Sequence, residues 1–379
     1  MSEALDTTVP KASRPILAGP NRLKLAVFSP NMAGGTNLTS ASGPPVVTWA
    51  EQMRIAAAAE RAGFEAIIPV ARWRSPSPSS SPNVHRSFES FTWAAGISAV
   101  TSVIQVFATC HLTTTHPVMV AKEIATLDHI SGGRFGLNVV AGWNADEFRM
   151  FDLSLSEHSD RYMIADEWMT FVERIFTEEQ PFDVHGAWFT SFEVISQPLP
   201  LQQPGPVVMS AGFSPAGRGF AAKHADINFV IAPDRPQARD AIAEVKARAR
   251  SEFDRELKVF GAAHILCAPT LEAARRRYDH VVSERGDWPA ARNALRLLTG
   301  SSLSAEYANS MAASAVFGFF ATPLIGTPDS IVEEMALMVD DGFDGLALSW
   351  VDYDEGLDQY QAELLPRLIA RGLRRPSAP

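Results

Sequence analysis

Short apolar runs alternate with longer helical patterns along the chain from Arg22 onward. Runs such as LKLAVFS and FEAIIPV are typical of buried strands, and the Ala-rich stretch between them has the period of a helix. Strands that alternate with helices are typical of βα units and a parallel sheet. Eight strands are predicted in this way, over residues 23–29, 64–70, 104–109, 135–140, 207–210, 227–231, 259–267 and 345–350.

Eight parallel strands with their helices predict an α/β fold of the (β/α)₈ TIM-barrel class. The alternative is an open, doubly wound sheet. Against it, the first turn, SPNMAGG, lacks a G-x-G-x-x-G fingerprint, and no acidic residue ends the second strand. In a barrel, the site lies at the carboxyl ends of the strands.

The predicted domain organisation is a flexible arm over residues 1–21 and a single barrel domain over residues 22–379. Three insertions are predicted within the barrel, at about residues 74–86, 180–205 and 286–325. The first contains the low-complexity stretch RSPSPSSSP, the second is interpreted as a small hairpin, and the third as a lid or a subunit contact.

Composition and charge exclude several classes of protein. Hydrophobic residues make up 46% and charged residues 20%, which is typical of a globular chain. The net charge of −10 disfavours nucleic acid and anionic lipid as partners, and no apolar stretch is long enough to cross a membrane. The two cysteines form no disulfide framework, so a cytoplasmic location is predicted. No motif for a metal is present.

Polar residues at the ends of apolar strands are the first candidates for chemistry, and Thr109, Asn138 and Ser210 are such residues. Asn138 stands within an otherwise apolar strand, in SGGRFGLNVVAGWNAD, so its amide needs hydrogen-bond partners. The planar edge of a flavin would satisfy that amide. Neighbouring backbone groups are the alternative partners.

A phosphate site is predicted where SAGFSPAG precedes a helix, because backbone N–H groups and the helix dipole favour an anion there. Arg161 and Tyr162 are candidates for the same phosphate, although a surface ion pair is the alternative for the arginine. His111 and His116 follow the third strand and are candidates for a general base. With no nucleophile motif in the chain, a cofactor is expected to carry the chemistry.

Two segments carry a resemblance to a known family. The chain resembles the bacterial luciferase-like superfamily of flavin-dependent monooxygenases. The two segments are SFESFTWAAGISAVTSVIQVFATCHLTTTHPVMVAKEIATLDHISGGRFGLNVVAGWNADEF and SAGFSPAGRGFAAKHADINFV. Within it, the form NVV-x-x-W-x-x-DE is most similar to the branch of pyrimidine and dimethylsulfone monooxygenases. The resemblance covers residue 22 to about residue 368.

The resemblance implies two sets of site residues. Ile68 and Val70 stand where the family has Leu and Met, and Arg72 replaces a Lys. The first loop and the loop containing RSPSPSSSP also depart from the family, which leaves the substrate open. The implied contacts to the flavin are Ala71, Arg72, Asn138, Glu147, Arg161, Tyr162 and Ser214, and the implied oxygen pocket is Ile68, Val70, Thr109 and Asn138.

The implied activity is that of a two-component monooxygenase. A separate NAD(P)H:FMN reductase would supply reduced FMN (FMNH2), and O2 would be the co-substrate. A flavin peroxide, at N5 or C4a, would insert one oxygen atom into a small electrophilic substrate such as a pyrimidine or other heteroaromatic amide, a sulfone or a halogenated aromatic. Trp143, Phe91 and Trp350 are candidates for a stacking wall.

Two alternatives remain within this resemblance. The first is an F420-dependent oxidoreductase of the same superfamily, which would transfer hydride and consume no oxygen. The second is a flavin-binding protein without catalysis. A homodimer or homotetramer is the implied assembly.

Overall fold

The computed structural model describes residues 14–79, 81–155, 157–212, 214–230, 235–299 and 305–376. Within these ranges the strands begin and end close to the predicted bounds. The strands are β1 Lys24–Phe28, β2 Ala66–Ile68, β3 Gln105–His111, β4 Phe135–Val140, β5 Phe182–His185, β6 Thr190–Val194, β7 Val207–Ala211, β8 Ile227–Val230, β9 Lys258–Cys267, β10 Thr322–Gly326 and β11 Gly345–Trp350.

Eight parallel strands close into a barrel, in the order β1-β2-β3-β4-β7-β8-β9-β11, and β11 pairs with β1. Closure depends on the pairing of β8 with β9, which an open sheet would lack. The predicted (β/α)₈ TIM barrel is therefore confirmed, and the doubly wound alternative is excluded.

Helices surround the barrel. Several begin at the side chains that favour helix N-termini, as where Thr48 and Glu51 form a capping box. No helix in the described ranges has the length and apolar character needed to span a bilayer. The α-helices are α1 Pro15–Ala18, α2 Trp49–Arg61, α3 Ser90–Val100, α4 Pro117–Ile130, α5 Ala145–Met150, α6 His158–Thr177, α7 Pro215–His224, α8 Arg235–Phe253, α9 Leu271–Asp279, α10 Trp288–Thr299, α11 Ala305–Gly318, α12 Pro328–Asp340, α13 Tyr353–Gln359 and α14 Leu365–Ala370.

The barrel interior is filled by alternate residues of the strands, such as Ile68, Phe107 and Met209, which form one apolar cluster. Ile16 of α1 belongs to this cluster and is fully buried. Arg14 donates to carbonyl groups just before β7, so α1 lies at the amino ends of the strands. Residues 14–21, predicted as part of a flexible arm, are thus folded against the barrel, because an apolar side chain there closes its lower end.

The predicted insertions contain secondary structure of their own. The segment 180–205 includes the antiparallel hairpin of β5 and β6, as expected. The segment 286–325 contains α10 and α11 but also most of β10, which was not predicted and pairs with the carboxyl half of β9. The segment 74–86 includes a 3₁₀ turn, Pro82–His85, and contacts α10 through a hydrogen bond from Asn293 to the carbonyl of Pro76.

A buried ion pair links the C-terminal end of the described chain to the residue that precedes β2. Arg374 and Glu65 are 2.7 Å apart, and their side chains are only 2% and 6% exposed. Arg374 also donates to the carbonyl of Leu23, next to β1. The residues after α14 therefore complete the packing around β1 and β2.

Candidate active site

A cavity of about 270 Å³ opens at the carboxyl ends of the barrel strands. Its wall is mostly apolar, with a few polar side chains, as is typical of sites for small molecules. The loop after β1, the strand ends and the segment after α11 all contribute to it. The lining residues are Phe28, Ser29, Met32, Gly35, Thr36, Val70, Ala71, Arg72, Thr109, His111, Asn138, Val140, Trp143, Ala211, Gly212, Phe229, Ala262, Gly318, Phe319 and Ala321.

Thr109 and Asn138 are partners in the register of β3 and β4 and lie side by side at the cavity. The Asn138 amide donates to Thr109 Oγ1 at 3.0 Å, and this hydroxyl donates to the carbonyl of Pro69 at 2.6 Å. Asn138 Oδ1 is buried and has no partner among the described residues. The amide oxygen is thus a hydrogen-bond acceptor held in place for a ligand.

Only part of the predicted oxygen pocket lies at the cavity. Val70 lines it together with the two polar residues, whereas Ile68 lies in the packed barrel interior and is not among the lining residues. Ser210 does not face the site either. Its neighbour Met209 points into the barrel, and successive side chains of a strand point to opposite faces.

Arg72 and Glu147 form a buried ion pair beside the cavity, with Nε and Oε1 3.6 Å apart. Oε1 also accepts the backbone N–H groups of Trp73 and Arg74, at 2.9 and 3.0 Å. Burial lowers the pKa of Arg72, and Glu147 opposes that shift. Arg72 Nη1 and Glu147 Oε2 have no partner among the described residues, so each retains capacity for a ligand.

The Arg72 guanidinium contacts two aromatic rings that also contact each other, and it lies 5.3 Å from the Trp143 centroid and 5.4 Å from the Phe319 centroid. Such cation–π contacts fix the orientation of an arginine. Phe319 and Phe320 both have positive φ, +49° and +70°, which is rare outside glycine. The segment after α11 is therefore bent to bring an aromatic ring over the site.

The two candidate histidines occupy different environments. His111 is buried and lines the cavity, and its Nδ1 has no partner among the described residues. Burial lowers its pKa and thereby favours the neutral imidazole. His116 instead caps α4 by accepting from the Val118 N–H, and its ring contacts Phe171 and Phe189. Only His111 belongs to the site.

A second cavity of about 470 Å³ adjoins the first, and Trp143, Gly212 and Phe319 line both. Arg161, Tyr162 and Ser214, all predicted phosphate contacts, line this second cavity. The structure therefore brings the predicted phosphate residues together at the N-terminus of α7, next to the cavity that contains Asn138.

These three side chains are held by their own contacts. Ser214 caps α7 by accepting the Gly217 N–H at 3.1 Å and shares a hydrogen bond with Tyr162. The Arg161 guanidinium donates to the carbonyl of Gly142. Burial lowers the pKa of Arg161 and raises that of Tyr162. The phenol thus stays protonated and can donate.

Two glycines allow the backbone to approach Tyr162 closely. A Cβ atom on Gly212 would lie 2.8 Å from the Tyr162 hydroxyl and 2.9 Å from Gly217 Cα. A Cβ atom on Gly217 would meet the same hydroxyl at 2.7 Å. Any side chain at either position would therefore fill or distort this cradle.

Of the three predicted stacking residues, Trp143 alone lines the cavity among the described residues. Phe91 and Trp350 pack in the apolar layer between the barrel and its helices. The aromatic wall is completed instead by Phe28, Phe229 and Phe319, which the sequence did not single out.

A buried polar cluster near the cavity was also missed. His264 Nδ1 lies 3.1 Å from Thr36 Oγ1 and 2.8 Å from Ser349 Oγ. His264 and Ser349 are fully buried, and Thr36 lines the cavity. A histidine within the apolar run VFGAAHILC is the same kind of signal that identified Asn138. The sequence could therefore have indicated that His264 needs hydrogen-bond partners inside the barrel.

Comparisons with known proteins agree with this geometry. Residues 23–345 match the family described as luciferase-like monooxygenase. The FMNH2-dependent dimethylsulfone monooxygenase of Pseudomonas putida is 26% identical over 352 residues, which cover 91% of this chain and 94% of that protein. The pyrimidine monooxygenase RutA of Methylobacterium radiotolerans is 32% identical over 294 residues, covering 75% and 76%.

A solved structure of riboflavin lyase has a TM-score of 0.84 at 22% identity and covers 94% of each chain, so it shares the fold. The relatives include the two kinds of monooxygenase named by the sequence resemblance, which is confirmed. The match extends over most of the barrel and includes both segments that carry the resemblance. The chain belongs to the luciferase-like monooxygenase family.

Proposed function

We propose that this protein is an FMNH2-dependent monooxygenase, which uses O2 to insert one oxygen atom into a small electrophilic substrate. The observation that carries the proposal is Asn138 Oδ1, a buried acceptor without a partner among the described residues, beside Thr109 at the base of the cavity. A flavin ring has the N–H groups and the planar edge that such an acceptor needs. The substrate classes are those of the resemblance: a heteroaromatic amide such as a pyrimidine, a sulfone or a halogenated aromatic.

The side chains fit FMN at both ends of the paired cavities. Asn138 and Arg72 offer an unpaired acceptor and an unpaired donor to the ring edge. Arg161, Tyr162 and Ser214 offer a cation, a phenol and a helix N-terminus to the phosphate. Bound, the reduced coenzyme supplies the two electrons with which dioxygen is activated.

The chain itself binds, orients and excludes water. The ion pair with Glu147 and the rings of Trp143 and Phe319 fix the Arg72 guanidinium. Val70 and its apolar neighbours keep the wall beside Thr109 dry, which strengthens every polar contact made there. Glu147 and Ala71 complete the proposed cofactor set, and Ile68, two residues before Val70, belongs to the apolar interior of the barrel.

The proposed partner is a separate NAD(P)H:FMN reductase that delivers the reduced coenzyme. The oxygen-transferring species, the homodimeric or homotetrameric assembly and the cytoplasmic location stay predictions.

The test supplies FMNH2 aerobically with ¹⁸O2 and a panel of pyrimidines, sulfones and chlorinated aromatics, and identifies labelled product by mass. Asn138→Ala and Thr109→Ala should abolish product while leaving the fold intact by circular dichroism. Gln105→Ala is the matched control, because it removes a buried amide at the other end of β3. Normal product yield in both site variants would refute the proposal. Turnover with F420 and no oxygen uptake would identify the alternative activity.

A further inference from the structure

The loop that follows β1 forms one wall of the cavity and begins with an unusual serine. Ser29 lines the cavity, is only 1% exposed, and has φ of +61°. Its Oγ is buried without a partner among the described residues. A buried hydroxyl without a partner is unfavourable, and a left-handed serine is uncommon, so the two together mark a functional position.

The peptide unit that precedes Ser29 is fixed at both its N–H and its carbonyl group. The Ser29 N–H donates to the carbonyl of Ile68 at 2.8 Å. The preceding carbonyl, that of Phe28, accepts a hydrogen bond from the buried Tyr353 hydroxyl. Strand β2 and helix α13 therefore hold the peptide that leads into this left-handed residue.

The far end of the same loop is fixed as well. Thr36 Oγ1 donates to Ser349 Oγ at 3.0 Å and lies 3.1 Å from His264 Nδ1. These partners are on β9 and β11, which lie three or four strand positions away from β3 and β4 in the closed order of eight. The loop is thus anchored across the barrel from Thr109 and Asn138.

The chemistry of this wall is neutral. Its residues are Phe28, Ser29, Met32, Gly35 and Thr36. Among the described lining residues, Arg72 carries the one formal charge, and Glu147 neutralises it. A ligand carboxylate or sulfonate against the wall would lose its hydration and meet no cation among the five wall residues, whereas a carbonyl or amide would gain the Ser29 hydroxyl.

We propose that Ser29 is a specificity-determining residue whose hydroxyl binds the polar edge of an uncharged substrate, and that the wall rejects anionic analogues. Thr36, His264 and Ser349 act as positioning residues that hold the wall. The inference rests on the proposed function, because it assigns the substrate face of the same cavity.

The test measures binding of two probes of matched shape by ¹⁹F NMR, 4-fluorobenzamide and 4-fluorobenzoate, with no turnover required. The wild-type protein should bind the amide at least about tenfold more tightly than the carboxylate, because a charge is far costlier to bury than an amide. Ser29→Ala should weaken amide binding about threefold to tenfold, the effect of one neutral hydrogen bond.

Two further variants distinguish the loss of the Ser29 hydroxyl from backbone strain at residue 29 and from a general loss of protein stability. Ser29→Gly removes the hydroxyl and suits the left-handed backbone, so it should bind the amide as weakly as Ser29→Ala. Ser98→Ala removes another buried hydroxyl that has no partner among the described residues, but in α3, away from the cavity, and should bind the amide normally.

Several results would overturn the inference: equal affinity for the two probes, no amide binding by the wild type, unchanged binding in Ser29→Ala, or normal binding in Ser29→Gly. The readout does not involve flavin turnover. Failure of the proposed function would appear instead as an absence of FMNH2-dependent oxygen incorporation in a protein that still discriminates the probes through Ser29.

Discussion

The glycine cradle beneath the predicted phosphate site yields a quantitative prediction for Gly212→Ala. The new methyl group would lie 2.8 Å from the Tyr162 hydroxyl and 2.9 Å from Gly217 Cα. The phenol can move away, but the backbone at Gly217 cannot do so without displacing the start of α7. Overpacking of this kind costs about 1–3 kcal/mol. In the free protein, this strain is relieved when Tyr162 moves away from Ser214. FMN binding must then bring the two side chains back together, so the cost of the strain is subtracted from the binding free energy.

A cost of about 2 kcal/mol therefore corresponds to an FMN dissociation constant raised about 30-fold. The constant is measured by quenching of FMN fluorescence. Gly132→Ala is the control, because Gly132 has φ of +64° but no heavy atom within 4 Å of the position that a methyl group would take, so it introduces backbone strain away from the site. An unchanged dissociation constant in Gly212→Ala, or equal weakening in Gly132→Ala, would refute the reasoning.

Three further predictions concern buried ionisable groups. Glu147→Gln should lower the free energy of unfolding, measured with urea, by about 3–5 kcal/mol, because it leaves the buried Arg72 guanidinium unpaired. Glu178→Gln, which breaks an exposed ion pair, should lower it by only about 0–1 kcal/mol. Similar losses in the two variants would contradict this prediction. Burial lowers the pKa of His264 from 6.5 to about 3. The stability that the neutral His264 contributes is therefore complete above pH 6.5 and falls by about 1.4 kcal/mol per pH unit as the pH drops toward 3. His264→Gln should remove this dependence of the free energy of unfolding on pH. Burial raises the pKa of Cys110 to about 12 and of Cys267 to about 11, so both thiols should resist iodoacetamide at neutral pH until the protein is unfolded, and rapid labelling of the native protein would contradict this.

The barrel strands could be predicted because each is a separate apolar run between turn residues. The predicted strand 135–140 matches β4, and the apolar run of 345–350 matches β11. β10 was missed because TPLIG is short and contains proline and glycine, which weaken the signal for a strand. Its pairing with β9 is a tertiary contact that the local pattern does not encode.

The candidate site was predicted only in part, because the inward or outward direction of a side chain depends on the barrel register. Thr109 and Asn138 were predicted to act together, and the register brings them together. Ser210 satisfied the same criterion of a polar strand end, yet it points away from the interior occupied by Met209. Ser29 went unnoticed because its distinguishing feature is a backbone angle, which no residue pattern in the sequence revealed.

The closed order of the strands has a consequence for synthesis of the protein. β1 lies between β2 and β11, so one of its edges has no native partner until residues 345–350 leave the ribosome. An unpaired strand edge is a template for pairing with other chains. Closure through contacts so distant along the chain is also slow. The nascent protein therefore presents an unpaired edge of β1 throughout translation of the segment between β1 and β11, and this interval favours aggregation.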